Sequence, residues 1–137
     1  VVVNGQMQSV GSSAPKIKGY IAHALTQPAD AKIDGTATVD GRTVKVEVTA
    51  TGAPIGGQIY VAVIEPERRN TIPKGENRGK EGVHTNVVRA MVKADAPGSR
   101  GTIPVPEDVD LAKAEVIAWV ADPLTLQVVG AGRLDRR

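Results

Sequence analysis

The sequence predicts an antiparallel β-sandwich of immunoglobulin-like architecture with about seven strands, and three observations predict it. Valine and isoleucine dominate the apolar residues, 20 and 9 against 5 leucines. Branching at Cβ suits a pleated surface, whereas leucine is the usual core residue of helices. Fifteen glycines and nine prolines break the chain into short elements. From about Ala31 onward the apolar period is two residues, the repeat of a strand with two unlike faces.

The first 25 residues read differently. Val1-Val2-Val3 is a short apolar strand, and Asn4-Gly5 is a hairpin signal because both residues tolerate a positive φ. Residues 6–10 return as the partner strand. Ser12 or Ser13 is placed to cap a helix, with Pro15 in its first turn, where a missing N–H costs nothing. Ile17, Tyr20, Ile21, Ala24 and Leu25 then form one apolar stripe, and Gln27-Pro28 ends the helix. Two short strands and one helix cannot bury their own faces. We therefore expect residues 1–28 to be the remnant of another domain and residues 29–137 to be the sandwich. The stripe should be covered by a second copy, as a homodimer through residues 1–25.

Within the sandwich, residues 32–39 alternate loosely up to a second hairpin signal at Asp40-Gly41. Val44, Val46 and Val48 then face one way, and Lys45, Glu47 and Thr49 the other, as in a sheet with one wet face. Residues 58–65 are apolar on both sides, which predicts a central strand with Tyr60 facing inward. Residues 66–82 are polar and predict a long loop, a feature that is usually functional or mobile. Strands follow at 83–93, 99–105, 114–121 and 125–130, with turns at Pro97-Gly98 and Asp122-Pro123. Trp119, in the 114–121 strand, is also expected inward.

Composition excludes several classes of chemistry. With no cysteine, this chain carries no disulfide, thiolate metal site or thiol catalysis. No apolar run approaches the roughly 18 residues of a membrane-spanning helix. Seventeen basic against fifteen acidic residues leave a net charge of +2, and no aromatics interleave the basic ones, so nucleic acid is not an expected partner. The two histidines, His23 and His84, lie on separate elements without metal-ligand spacing, and no nucleophile elbow is present. The expectation is a non-enzyme without metal or cofactor.

Two motifs remain as candidate sites. Gly75-Glu76-Asn77-Arg78-Gly79 brackets three polar residues between glycines, without the lysine and hydroxyl of a phosphate loop. Its simpler reading is a turn in which Glu76 and Asn77 satisfy loop backbone groups. His84-Thr85-Asn86-Val87-Val88-Arg89 follows, with His84 and Asn86 on one side of the strand and Arg89 on the other. We expect Glu76, Asn77, Arg78, His84, Asn86 and Arg89 to form a binding or structural polar cluster, in which Glu76 or Asn77 reaches His84 or Asn86.

These two stretches resemble the C-terminal half of a bacterial family of secreted, thioredoxin-like proteins of unknown function. The pattern is similar to that of the related outer-membrane-protein-28-like group. In the same family Val1-Val2-Val3-Asn4-Gly5 and Val10-Gly11-Ser12 would match the end of the thioredoxin domain. Residues 30–60 and 95–137 are similar in pattern only. The family's Cys-x-x-Cys pair has no counterpart here, so the resemblance implies a fold and a periplasmic or secreted location rather than an activity. The sequence opens at Val1 without a leader, which we read as a piece of a longer protein. The expected function is a non-catalytic accessory module that presents a surface around residues 66–82 to a partner protein or to its own upstream thioredoxin-like domain. The alternative is a sandwich that binds a small ligand or carbohydrate, for which Tyr20, Tyr60 and Trp119 are the available aromatics.

Overall fold

The computed structural model describes residues 1–95 and 98–137. Val2–Val3 (β1) and Met7–Gln8 (β2) form a small hairpin, and Ala14–Leu25 is the one helix described, α1. The sandwich strands are Lys32–Asp40 (β3), Thr43–Thr51 (β4), Gln58–Thr71 (β5), Glu81–Asp95 (β6), Gly98–Pro104 (β7), Glu115–Ala121 (β8) and Val128–Arg133 (β9), followed by Asp135–Arg136 (β10). One sheet has the order β10-β3-β4-β7 and the other β6-β5-β8-β9, antiparallel throughout except where β10 runs parallel to β3. The expected β-sandwich is observed. The turn expected at Pro97 lies outside the described residues.

Alternation builds the core directly. Val44, Val46, Val48 and Ala50 of β4, with Ala37 and Ile103, meet Ile59, Val61 and Val63 of β5 and Val116, Ala118 and Val120 of β8. Ile59, Ile103, Val63 and Val120 are fully buried. Small residues let the open side of the sandwich close. A Cβ on Gly130 would stand 2.2 Å from the carbonyl oxygen of Ala31, so only glycine allows β9 to approach the entry to β3. The Ala31 N–H donates to the Val129 carbonyl at 3.0 Å across that join.

Three expectations are corrected. Residues 66–82 are not a loop: β5 continues to Thr71 and β6 begins at Glu81, so the connection proper is 72–80. A two-stranded arm thus extends past the last β8 partner, Glu115, which pairs with Ile64. Charged side chains on both of its sides remove the apolar alternation that marks a strand in sequence. Second, Tyr60 and Trp119 do not face the core. They lie opposite each other on the outer face of their sheet and stack at 5.3 Å between ring centroids, with 12° between the planes. Third, the strand expected at 125–130 is Val128–Arg133, because residues 122–127 close a turn through the Asp122 carboxylate, which accepts from the N–H groups of Leu124 and Thr125.

The N-terminal hairpin and helix are attached rather than packed. Asn4 and Gly5 have the expected positive φ, 48° and 73°. Their turn docks on the β8–β9 connection, where Val128 N–H donates to the Asn4 carbonyl at 3.0 Å. A Cβ on Gly5 would meet the Leu126 carbonyl oxygen at 1.9 Å, so this join too requires glycine. No residue of α1 is buried, and Ser13 occupies the N-cap position without a side-chain hydrogen bond.

Removing core volume should weaken the sandwich far more than trimming its surface. Ile59→Ala is expected to lower unfolding free energy by about 2–5 kcal/mol in urea titrations. An effect below 1 kcal/mol would place Ile59 outside the cooperative core.

Candidate functional site

The inward row of β5 runs Ile59, Val61, Val63 and then Glu65, a carboxylate in the register of the core. Glu65 is 9% exposed. Such a group needs compensating charge and hydrogen bonds to remain there ionised. Arg89 supplies them through an irregularity in β6. Val63 pairs with Ala90 but Ile64 pairs with Val88, which leaves Arg89 as the extra residue of a β-bulge. Its guanidinium donates one N–H to Glu65 Oε2 and others to Asp108 Oδ1 and Oδ2 at 2.8 and 2.9 Å. Arg68, three residues past Glu65, donates to Glu65 Oε2 at 2.9 Å and to Asp108 Oδ2 at 2.7 Å.

Two arginines and two carboxylates therefore form a closed ring at the end of the sandwich. Its fourth member, Asp108, comes from the connection between β7 and β8, which is anchored independently. Arg42 donates to the carbonyl oxygens of Pro106 and, at 3.1 Å, Val109. The Val109 side chain itself is buried in the core. The ring thus ties together the arm, the bulge and the connection that crosses from one sheet to the other. The charges stay ionised well into acid. Hydrogen bonds from Arg89 and then Arg68 hold the Asp108 carboxyl down at about 2. Burial on its own would raise Glu65, but the hydrogen bonds from Arg89 and Arg68 outweigh it and the net shift is downward.

The six residues expected to cluster are dispersed along the arm. Arg89 belongs to the ring. Asn86 sits opposite Pro66, where the ladder skips a pair between Glu65–Val87 and Glu67–Thr85, and its φ is +51°. Asparagine adopts that left-handed conformation at lower cost than most residues. His84 shares a hydrogen bond of 2.8 Å with Asn70, its neighbour across the arm, and not with Glu76 or Asn77. Glu76, Asn77 and Arg78 lie at the arm tip, where Arg78 N–H donates to the Gly75 carbonyl at 3.0 Å and Lys80 Nζ donates to Asn77 Oδ1 at 3.0 Å. Sequence reading missed Glu65, Arg68 and Asp108 as site residues. The signal for Glu65 was present as an acid on the inward parity of an apolar strand. Nothing local marks Asp108, whose partners are 40 and 19 residues away.

The ring is self-satisfied. Each carboxylate accepts from both guanidiniums, which suits a brace better than an acid–base pair, because neither carboxylate is raised toward neutrality and neither arginine can act as a base. Among the described residues no group of histidines and carboxylates is arranged to hold a metal ion. No described helix is long and apolar enough to cross a membrane.

Residues 1–121 match the family described as "Protein of unknown function (DUF1223)", and the chain belongs to that family. No curated protein matches the chain. In fold it is similar to a crystal structure of a protein from Agrobacterium tumefaciens, with a TM-score of 0.54 and 16% identity over 96% of this chain. The match spans 59% of the Agrobacterium chain, so that protein has about two fifths of its length beyond what is shared.

Because Glu65 and Asp108 titrate below their ordinary values in the folded chain, the ring stabilises fully above the unfolded values and loses its contribution as pH falls through the folded ones. For Asp108 that window runs from its ordinary 3.8 down to about 2. Thermal melts should show stability falling across this range, and Asp108→Asn should flatten the slope. Equal acid slopes in both proteins would show that Asp108 contributes nothing to acid stability.

Arg89→Ala leaves Glu65 with a single partner at a nearly buried site and should cost about 3 kcal/mol by chemical denaturation. Arg89→Lys should recover only part of it, since an ammonium cannot bridge both carboxylates through a planar fork. Full recovery with lysine would show that charge alone matters.

Proposed function

We propose that this chain is a non-catalytic interaction module of an exported, thioredoxin-like protein and that its working surface is the β5–β6 arm. The observation that carries this reading is the ring at the root of the arm. It fixes a two-stranded ribbon whose residues 69–71 and 73–81 are exposed and which contributes nothing to the core. A ribbon held rigid at its base and solvated beyond it presents side chains in fixed positions, which lowers the ordering cost of binding. The tip adds Lys74, Arg78 and Lys80 against Glu76, so it offers positive charge to a partner surface.

The larger assembly draws support from the other end of the chain. Two strands of two residues each and a helix with no buried residue gain little from their own packing. They fit better as the remnant, residues 1–28, of a domain completed elsewhere in the protein, and the unshared two fifths of the Agrobacterium chain offers the length for one. The thioredoxin-like character and the periplasmic or secreted location rest on the sequence resemblance.

A carbohydrate or small-ligand site gains from the outward position of Tyr60 and Trp119. Yet each ring already has one face covered by the other, and Tyr60 Oη donates to Gln58 Oε1 at 3.2 Å. A glycan array with reproducible hits lost in Trp119→Ala would favour this second reading.

The module reading makes two expectations. In an insulin-reduction assay the chain should reduce no faster than buffer. Replacing residues 72–80 by an Asn-Gly turn should change unfolding free energy by no more than about 0.5 kcal/mol, the size of ordinary surface effects. The same replacement should remove amine-reactive cross-links that join Lys74 and Lys80 to groups outside residues 1–137 in the full-length protein. Catalytic turnover, or an arm that cross-links only within the sandwich, would overturn the proposal.

A further inference from the structure

The two outer faces of the sandwich are unlike. On the β10-β3-β4-β7 sheet the outer face carries Thr36, Thr38, Lys45, Glu47, Arg100 and Thr102, a wet surface. On the β6-β5-β8-β9 sheet the outward positions form an apolar centre, Tyr60, Ala62 and Ile64 of β5, Ile117 and Trp119 of β8, and Val88 and Met91 of β6, rimmed by Gln58, Lys93, Glu115 and Arg133. Ala62 and Ile64 are buried although they lie outside the core cluster, screened by these neighbours, while Val88 and Met91 are half exposed. A sheet that carries an apolar centre on its outer face, with charge confined to the rim, is suited to be the middle layer of three.

We propose that the third layer is the part of the parent protein that precedes Val1, seated on the outer face of the β6-β5-β8-β9 sheet. This rests on the reading that the chain is one portion of a larger protein, and it names the face that portion takes. Three observations select this occupant. The Asn4-Gly5 turn is docked on the β8–β9 connection. The end of α1 adjoins β9 as well, with Ala24, Gln27 and Pro28 lining one cleft with Val128 and Ala131. The early residues thus stand at the flank of the apolar sheet, whereas β10, the last strand, lies on the wet sheet beside β3.

The surfaces also run together. Ile21 and Leu25 of α1 are exposed, Ala131 of β9 is exposed and small, and Ala131 pairs directly with Trp119. A body resting on the helix stripe can therefore continue across Ala131 onto the Tyr60–Trp119 stack. The size of the face argues against a second copy as occupant. Four strands about 4.8 Å apart and seven residues of about 3.3 Å give roughly 450 Å², about half of what each partner buries in a standard interface. A covalently tethered segment closes on such a small face because its effective concentration is high.

The two methionines report on the two surfaces, Met7 on the hairpin and Met91 on the sheet. Peroxide oxidation followed by peptide mass spectrometry is run on this chain and on the full-length parent. Met91 should form sulfoxide readily in the chain and about tenfold more slowly in the parent, since susceptibility follows exposure. Ile117→Glu should lower the unfolding midpoint of the parent by several degrees and leave that of the chain nearly unchanged. If Met7 becomes protected in the parent while Met91 does not, the third layer lies elsewhere and the module reading survives. If neither methionine changes, both readings fall. Protection of Met91 in the chain alone, with a dimer by light scattering, would make a second copy the occupant and overturn the proposal.

Discussion

A carboxylate in a core register must be answered, and the architecture at one end of this protein is the answer to Glu65. Leaving it ionised and unpaired at 9% exposure would cost several kcal/mol. The bulge in β6 brings Arg89 to it, the continuation of β5 brings Arg68, and the Arg42-anchored connection brings Asp108 to both arginines. Each device is unremarkable alone. Together they convert a polar intrusion at the rim of the core into a joint between three segments that are distant in sequence. The arm beyond the joint inherits its direction from it.

The motif that stands out in the sequence acquires a physical meaning from this joint. Arg89 holds the charge balance, Asn86 accommodates a left-handed residue opposite Pro66, and His84 links to Asn70 across the arm. Proline lacks an N–H to donate, and the ladder skips it at the point where the arm leaves the sheet. These residue types are those a kinked, solvated ribbon needs.

The hairpin and helix at the start obey a different logic. Their join to the sandwich is made by hydrogen bonds, from Val128 N–H to the Asn4 carbonyl and from the Gln6 side chain to the Thr125 carbonyl, and by Gly5, not by burial of side chains. Such a contact sets position while contributing little hydrophobic stability, which scales with apolar area removed from water. The exposed stripe on α1 and the apolar outer sheet face are both surfaces of residue types that fold-stabilising layers normally cover.

The sequence by itself determined the fold class, the strands that form the core and the hairpin turn at Asn4-Gly5, and it placed the next hairpin turn one residue early, at Asp40-Gly41 instead of Gly41-Arg42. Each of these depends on local preference or a period of two, which short stretches carry in full. It could not separate loop from strand in residues 66–82, because paired ribbons outside a core need no apolar face. Nor could it orient Tyr60 and Trp119, since in a strand apolar on both sides either parity satisfies the pattern. Only tertiary structure decided those matters, together with the ring. Asp108 meets Arg68 and Arg89 because the connection from β7 folds back under Arg42, a contact across 40 residues that no local rule encodes.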